Sequence, residues 1–242
     1  MTDARNSGVT VVLVHGAFAD AGSWAPLAEI LQREGVAVLA PALPLRGIAF
    51  DSDYIRSVFS QVDGPLLAVG HSYGGAIITN AATGLDQVKG LVFVSGFAPE
   101  EGQTLGEVEG TSRDSALAPA LVQKNYPVGD GTTAVELYVA EAEFPRVFAA
   151  DLPDALAKVL AASQRPVAAA AFEEKNGVPA WKSLPSWAVV ATGDKAAGSD
   201  VLLQLAEHAG AQVTTLEGSH LIMMSQPQRV ADVILEAIRA VA

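Results

Sequence analysis

The chain has 242 residues, 50% of them hydrophobic, with 22 glycines, 13 prolines and no cysteine. Acidic residues outnumber basic ones 27 to 15, and the resulting net charge of −12 disfavours nucleic acid and anionic membrane surfaces as partners. Without thiols, disulfides, thiolate metal sites and cysteine nucleophiles are all excluded.

Residues 1–7 are polar and run straight into an apolar strand, and no apolar run approaches membrane-spanning length, so a cytoplasmic protein is expected. Residues 9–14 (VTVVLV) form a β-branched first strand that ends in His15-Gly16-Ala17-Phe18. An amphipathic segment over 24–34, stopped by Gly35, predicts the first helix. Residues 36–40 read as the second strand, and a proline-punctuated loop follows in which Arg46 is expected to be solvated. A helix over 51–62 would turn Tyr54, Val58 and Phe59 to the core. Residues 65–69 and 90–95 supply the third and fourth strands, apolar throughout as buried parallel strands are.

From 98 to 184 the alternation of strand and helix fails. Glycines mark a turn at 129–131, and helical patterns are expected over 134–143, 153–163 and 166–173. A structureless loop of that length is improbable, so the segment predicts a small helical cap over the mouth of the sheet. Tyr126, Tyr138, Phe144, Phe148 and Phe172 are expected mostly to form the cap's own core. Alternation then resumes with a strand at 186–192, a helix at 200–209 and a strand at 211–216. Ser225-Gln226-Pro227-Gln228 reads as a capping box opening the last helix. The expected architecture is an α/β fold with six mainly parallel strands and helices on both faces. Residues 1–97 and 185–242 make its core and 98–184 the inserted cap.

The chemistry centres on Gly70-His71-Ser72-Tyr73-Gly74-Gly75, set between the third strand and a small-residue helix. A strand-to-helix turn that sharp strains the serine backbone and leaves no room for neighbouring side chains, which glycines at 70 and 74 avoid. The serine hydroxyl is then exposed at the top of the sheet beside a helix N-terminus. This G-x-S-x-G resembles the nucleophile elbow of the α/β-hydrolase fold. Serine needs a base, and the base needs an acid to orient it. Asp194 and His220 each follow the carboxyl end of a strand, in the order Ser…Asp…His that this fold uses. Ser72, Asp194 and His220 are therefore the candidate triad. His15 is read as structuring its own loop and His208 as solvent-facing. No metal is implied, because the histidines lack ligand spacing.

Val-Leu-Val-His-Gly-Ala at 12–17, Gly-His-Ser-Tyr-Gly-Gly at 70–75, Gly-Asp-Lys at 193–195 and Gly-Ser-His at 218–220 resemble one branch of these hydrolases. It includes plant methylesterases, hydroxynitrile lyases and bacterial relatives. The resemblance implies an oxyanion hole made by the Ala17 and Tyr73 N–H groups, and a carboxylic-ester hydrolase working without cofactor on a small-molecule ester. The lyases of the branch carry threonine where this chain has Gly16 and lysine where it has Leu221, which places lyase chemistry second. A ligand receptor on a hydrolase scaffold is the third reading. The chain departs from the pattern at Lys195-Ala196-Ala197-Gly198, where relatives have an apolar residue and proline, so a looser loop is expected there. The oligomeric state is left open, a homodimer included.

Overall fold

The computed structural model of the chain describes residues 8–129 and 131–242. The polar start at 1–7 and Asp130 of the expected turn lie outside the described residues. The first half runs β1 (Thr10–Val14), α1 (Ala25–Arg33), β2 (Ala37–Leu39), α2 (Ile48–Ser60), β3 (Leu66–His71), α3 (Tyr73–Ala81) and β4 (Val88–Val94). An insertion follows, with α4 (Leu105–Glu109), β5 (Leu121–Gly129), β6 (Thr132–Val139), α5 (Phe144–Phe148), α6 (Asp154–Ser163) and β7 (Val167–Ala168). The chain closes with β8 (Ser186–Ala191), α7 (Ser199–His208), β9 (Gln212–Leu216), α8 (Ile222–Ser225) and α9 (Pro227–Val241).

The main sheet has six strands in the order β2-β1-β3-β4-β8-β9, and every pairing is parallel. β3 and β8 are buried at every position, which is why they read as unbroken apolar runs, while the edge strand β2 is partly exposed. Helix α1 packs on α9, and α2 on α3, so the sheet is covered on both faces. The strand order reverses at β1, which pairs with β2 on one side and β3 on the other. Loops leaving β1 and β3 therefore splay apart, and the crevice between them is where open α/β sheets hold ligands. No helix of the described residues is long and apolar enough to cross a membrane.

Three local expectations are corrected. Residues 134–143 and 166–173 do not form the expected helices; β6 pairs antiparallel with β5 and β7 in a three-stranded sheet inside the insertion, and β7 is followed only by a short 3-10 turn at Ala169–Phe172. Thr132, Thr133, Val135, Tyr138 and Val139 favour extended backbone, and positive φ at Gly129 and Gly131 closes the hairpin. In α2 the buried residues are Ile48, Asp51, Ser52, Ile55 and Phe59, whereas Tyr54 is exposed and Val58 half-buried, because the face through Ile48, Ile55 and Phe59 is the one turned to the core. The capping box at 225–228 is not formed: Pro227 opens α9 as expected, but no side chain caps the helix. A complete capping box stands instead at Thr104 and Glu107, at the start of α4.

Candidate active site

Ser72 sits at the tip of the β3–α3 turn with φ 53 and ψ −125, a conformation that L-residues rarely hold. The surroundings impose it. Ser72 N–H donates to the Ser95 carbonyl at 3.1 Å, and the Ser72 carbonyl accepts from Gly75 at 2.9 Å and Phe97 at 3.1 Å. A Cβ at position 74 would stand 2.3 Å from the Val14 carbonyl oxygen, and one at position 70 would stand 2.5 Å from that of Gly74. Glycine is thus required by close approach of backbones at both places.

Register brings the other two groups alongside. Ala191 on β8 is level with Leu216 on β9, and Gly193 N–H donates to the Gly218 carbonyl at 2.9 Å. The two loops leave the sheet together, and His220 Nδ1 meets Asp194 Oδ2 at 2.6 Å. A carboxylate only accepts, so Nδ1 carries the proton and Nε2 presents its lone pair. That Nε2 is buried without a hydrogen-bond partner among the described residues. His220 is 1% exposed, Asp194 0% and Ser72 7%. Ser72 and His220 line one cavity of about 300 Å³, together with Ala17 and Tyr73.

The loop after Asp194 is not loose. Ala196 and Ala197 donate their N–H groups to Asp194 Oδ1 at 2.9 and 3.0 Å, so small residues give the backbone access that proline would deny at one of these positions. At the opposite wall, Phe18 N–H is committed to the Arg165 carbonyl at 3.0 Å, with Phe18 at φ 60. Tyr73 is the first residue of α3, so no helical carbonyl reaches its N–H.

His15 structures its loop as expected: Nδ1–H donates to the Gly16 carbonyl at 2.8 Å, and Nε2 accepts from Leu43 N–H at 2.9 Å. Burial lowers its pKa to about 4. The unfolded chain binds a proton near pH 6.5 that the folded chain refuses until about pH 4, so this stability is present above pH 6.5 and is lost as pH falls. We expect the urea midpoint to drop between pH 7 and 5, with His15 contributing about 2 kcal/mol of the loss over that range. His71, lowered by burial and by neighbouring His220, adds to it, and Asp51, raised by burial, offsets part. A flat midpoint over that range would refute the assignment.

Several supports were not legible in the sequence. His71 lies under His220 with ring centroids 4.6 Å apart, and its Nε2–H donates to the His220 carbonyl at 3.0 Å. Tyr73 OH donates to the buried Asp51 at 2.8 Å; burial and that carboxylate raise the phenol far above its usual range and keep it protonated. Ser219 Oγ donates to Asp151, which ties the histidine loop to the insertion. Arg46 is not a free loop residue: it pairs with Glu136 of β6 at 3.1 Å and lies over the Tyr126 ring at 4.3 Å. His208 is exposed as expected and meets Glu100 at 3.2 Å. Phe148 and Phe172 face the cavity, and Phe148 packs edge-on to His220 with centroids 4.6 Å apart, while Phe144 backs Phe148. Apart from the Phe144–Phe148 pair, these supports join residues far apart in sequence, and only His71 and Tyr73 lie within the locally marked 70–75 stretch.

A parallel sheet with a strained serine turn after its third strand is the architecture of the α/β hydrolases. The chain belongs to the alpha/beta hydrolase family, whose profile matches residues 11–233. Over 108 residues it is 31% identical to the carbendazim hydrolyzing esterase of Nocardioides sp. (strain SG-4G), covering 39% of this chain and 44% of that protein, less than half its length. The crystal structure of polyneuridine aldehyde esterase superposes with a TM-score of 0.79 at 21% identity, covering 96% of this chain and 99% of that one. A methylesterase from Arabidopsis gives 0.78 at 20% identity, with 96% and 99% covered. At such identities these structures speak for the fold.

Proposed function

We propose that this chain is a serine esterase that cleaves small carboxylic esters through an acyl-enzyme on Ser72. One observation carries the reading: an imidazole oriented by a buried carboxylate keeps a bare Nε2 in the same apolar cavity as a serine held in a strained turn. In this mechanism Ser72 Oγ attacks the ester carbonyl while His220 Nε2 takes its proton. The Ala17 and Tyr73 N–H groups stabilise the oxyanion, a contribution of about 3–4 kcal/mol per donor in acyl-transfer enzymes. His220 returns the proton to the departing alcohol, and water then releases the acid by the same steps. The family and the names of the relatives support ester hydrolysis. Lyase chemistry lacks its polar groups: Leu221 is buried and apolar, and a Cβ at position 16 would stand 2.6 Å from that of Ser72.

The cavity walls Phe18, Phe97, Leu105, Leu117, Phe148 and Phe172 are apolar and close in around Ser72 and His220, which leaves little room for a long chain. Short acyl chains are therefore preferred. A fluorophosphonate is expected to add once, at Ser72, and p-nitrophenyl acetate and butyrate to turn over faster than the laurate. A label on another residue, or no label with no turnover, defeats the proposal.

A further inference from the structure

Beside the catalytic cavity runs a larger cleft of about 1270 Å³, with Phe172 lining both. Leu105 of α4 faces the cavity, and Glu109, one turn on, faces the cleft. The Glu109 carboxylate is partly buried and has no cationic partner among the described residues. Among the described residues its carboxylate accepts one hydrogen bond, from Ser115 Oγ to Oε1 at 3.1 Å, and Ser115 has a closer acceptor in the Ala196 carbonyl at 2.7 Å. A hydroxyl has a single proton, so the carboxylate is left poorly satisfied. Burial raises its pKa, while the Ser115 hydrogen bond and the nearby His220 ring act the other way. A carboxylate with so few protein donors, on the wall of an open cleft, is available to a cation or N–H donor that enters it.

We propose that Glu109 determines specificity by accepting a cationic or N–H donor group on the substrate arm that passes Phe172 into the cleft. The proposal rests on the esterase reading of Ser72. The rest of the cleft favours the same ligand: Glu173 is a second carboxylate on its wall, Ser112 and Gln123 offer neutral polar groups, and no lysine or arginine lines it. With a net charge of −12 on the chain, the field there attracts cations and repels carboxylates.

The test compares kcat/KM for a thioester bearing a trimethylammonium group with that for its neutral tert-butyl isostere. One pair carries the group on the thiol arm and a second on the acyl arm. Thiol release is read with a disulfide dye, to which a protein without cysteine is silent. In at least one pair the wild type is expected to prefer the cation by roughly 5- to 10-fold, through a lower KM, and less so at high salt. Glu109→Gln should bring that ratio to about one and Glu109→Asp should recover part of it; a general loss of folded enzyme moves neither ratio. Ratios near one in both wild-type pairs, or a preference that survives Glu109→Gln, overturn the proposal and leave the esterase reading standing. Failure to hydrolyse any of these thioesters or p-nitrophenyl butyrate overturns both.

Discussion

Ser72→Ala is expected to lower kcat on p-nitrophenyl butyrate by roughly 10⁴- to 10⁶-fold, as loss of a triad nucleophile does in serine hydrolases. The Ala17 and Tyr73 N–H groups proposed to hold the oxyanion and the apolar walls stay, so binding and a residual acceleration over water are expected to remain. Removing one hydroxyl leaves the backbone bonds of Ser72 to Ser95, Gly75 and Phe97 intact. The thermal midpoint should therefore change little, and lost activity is separable from lost fold. Steady-state kinetics beside a thermal melt checks this. A variant keeping more than a few per cent of wild-type kcat would place the nucleophile elsewhere.

The second large effect falls on Asp194→Asn, with an expected drop in kcat of about 10⁴-fold. Asp194 Oδ1 accepts two backbone N–H groups, from Ala196 and Ala197. An asparagine there must keep its carbonyl oxygen toward those donors and turn its NH₂ toward His220. Nδ1 would then accept and Nε2 would carry the proton, a tautomer that cannot take one from Ser72. The shape of the site hardly changes, so the loss should appear in kcat while the fold persists. A fall below about tenfold would show that Asp194 does not set the tautomer.

Both predictions concern groups recognisable in the sequence, because each is marked locally. The turn at 70–75 announces itself through glycines that no side chain could replace, and Asp194 and His220 through their place just past apolar strands. The insertion was less legible. Residues 134–143 carry enough alanine, leucine and glutamate to read as helix, and pairing with β5 and β7 tips 132–139 toward the extended backbone that its threonines, valines and Tyr138 also favour. Arg46 reads as a solvent residue until β6 brings Glu136, 90 positions away, within 3.1 Å of it. The capping box at 225–228 matched its pattern but met a helix entry set by the short α8 turn before it.

By itself the sequence determined six strands, the inner ones buried, the helices between them and a strained serine at the end of the third. Those features follow from hydrophobic runs and steric exclusion among near neighbours in the chain. Only the tertiary structure decided how His220 is held, by Asp194 at its edge, His71 beneath and the Asp151 tether behind. It also decided which aromatic rings wall the cavity and that Glu109 faces a cleft without a counter-charge. Strand register and the packing of the insertion set these, and neither is written in the spacing of residues along one segment.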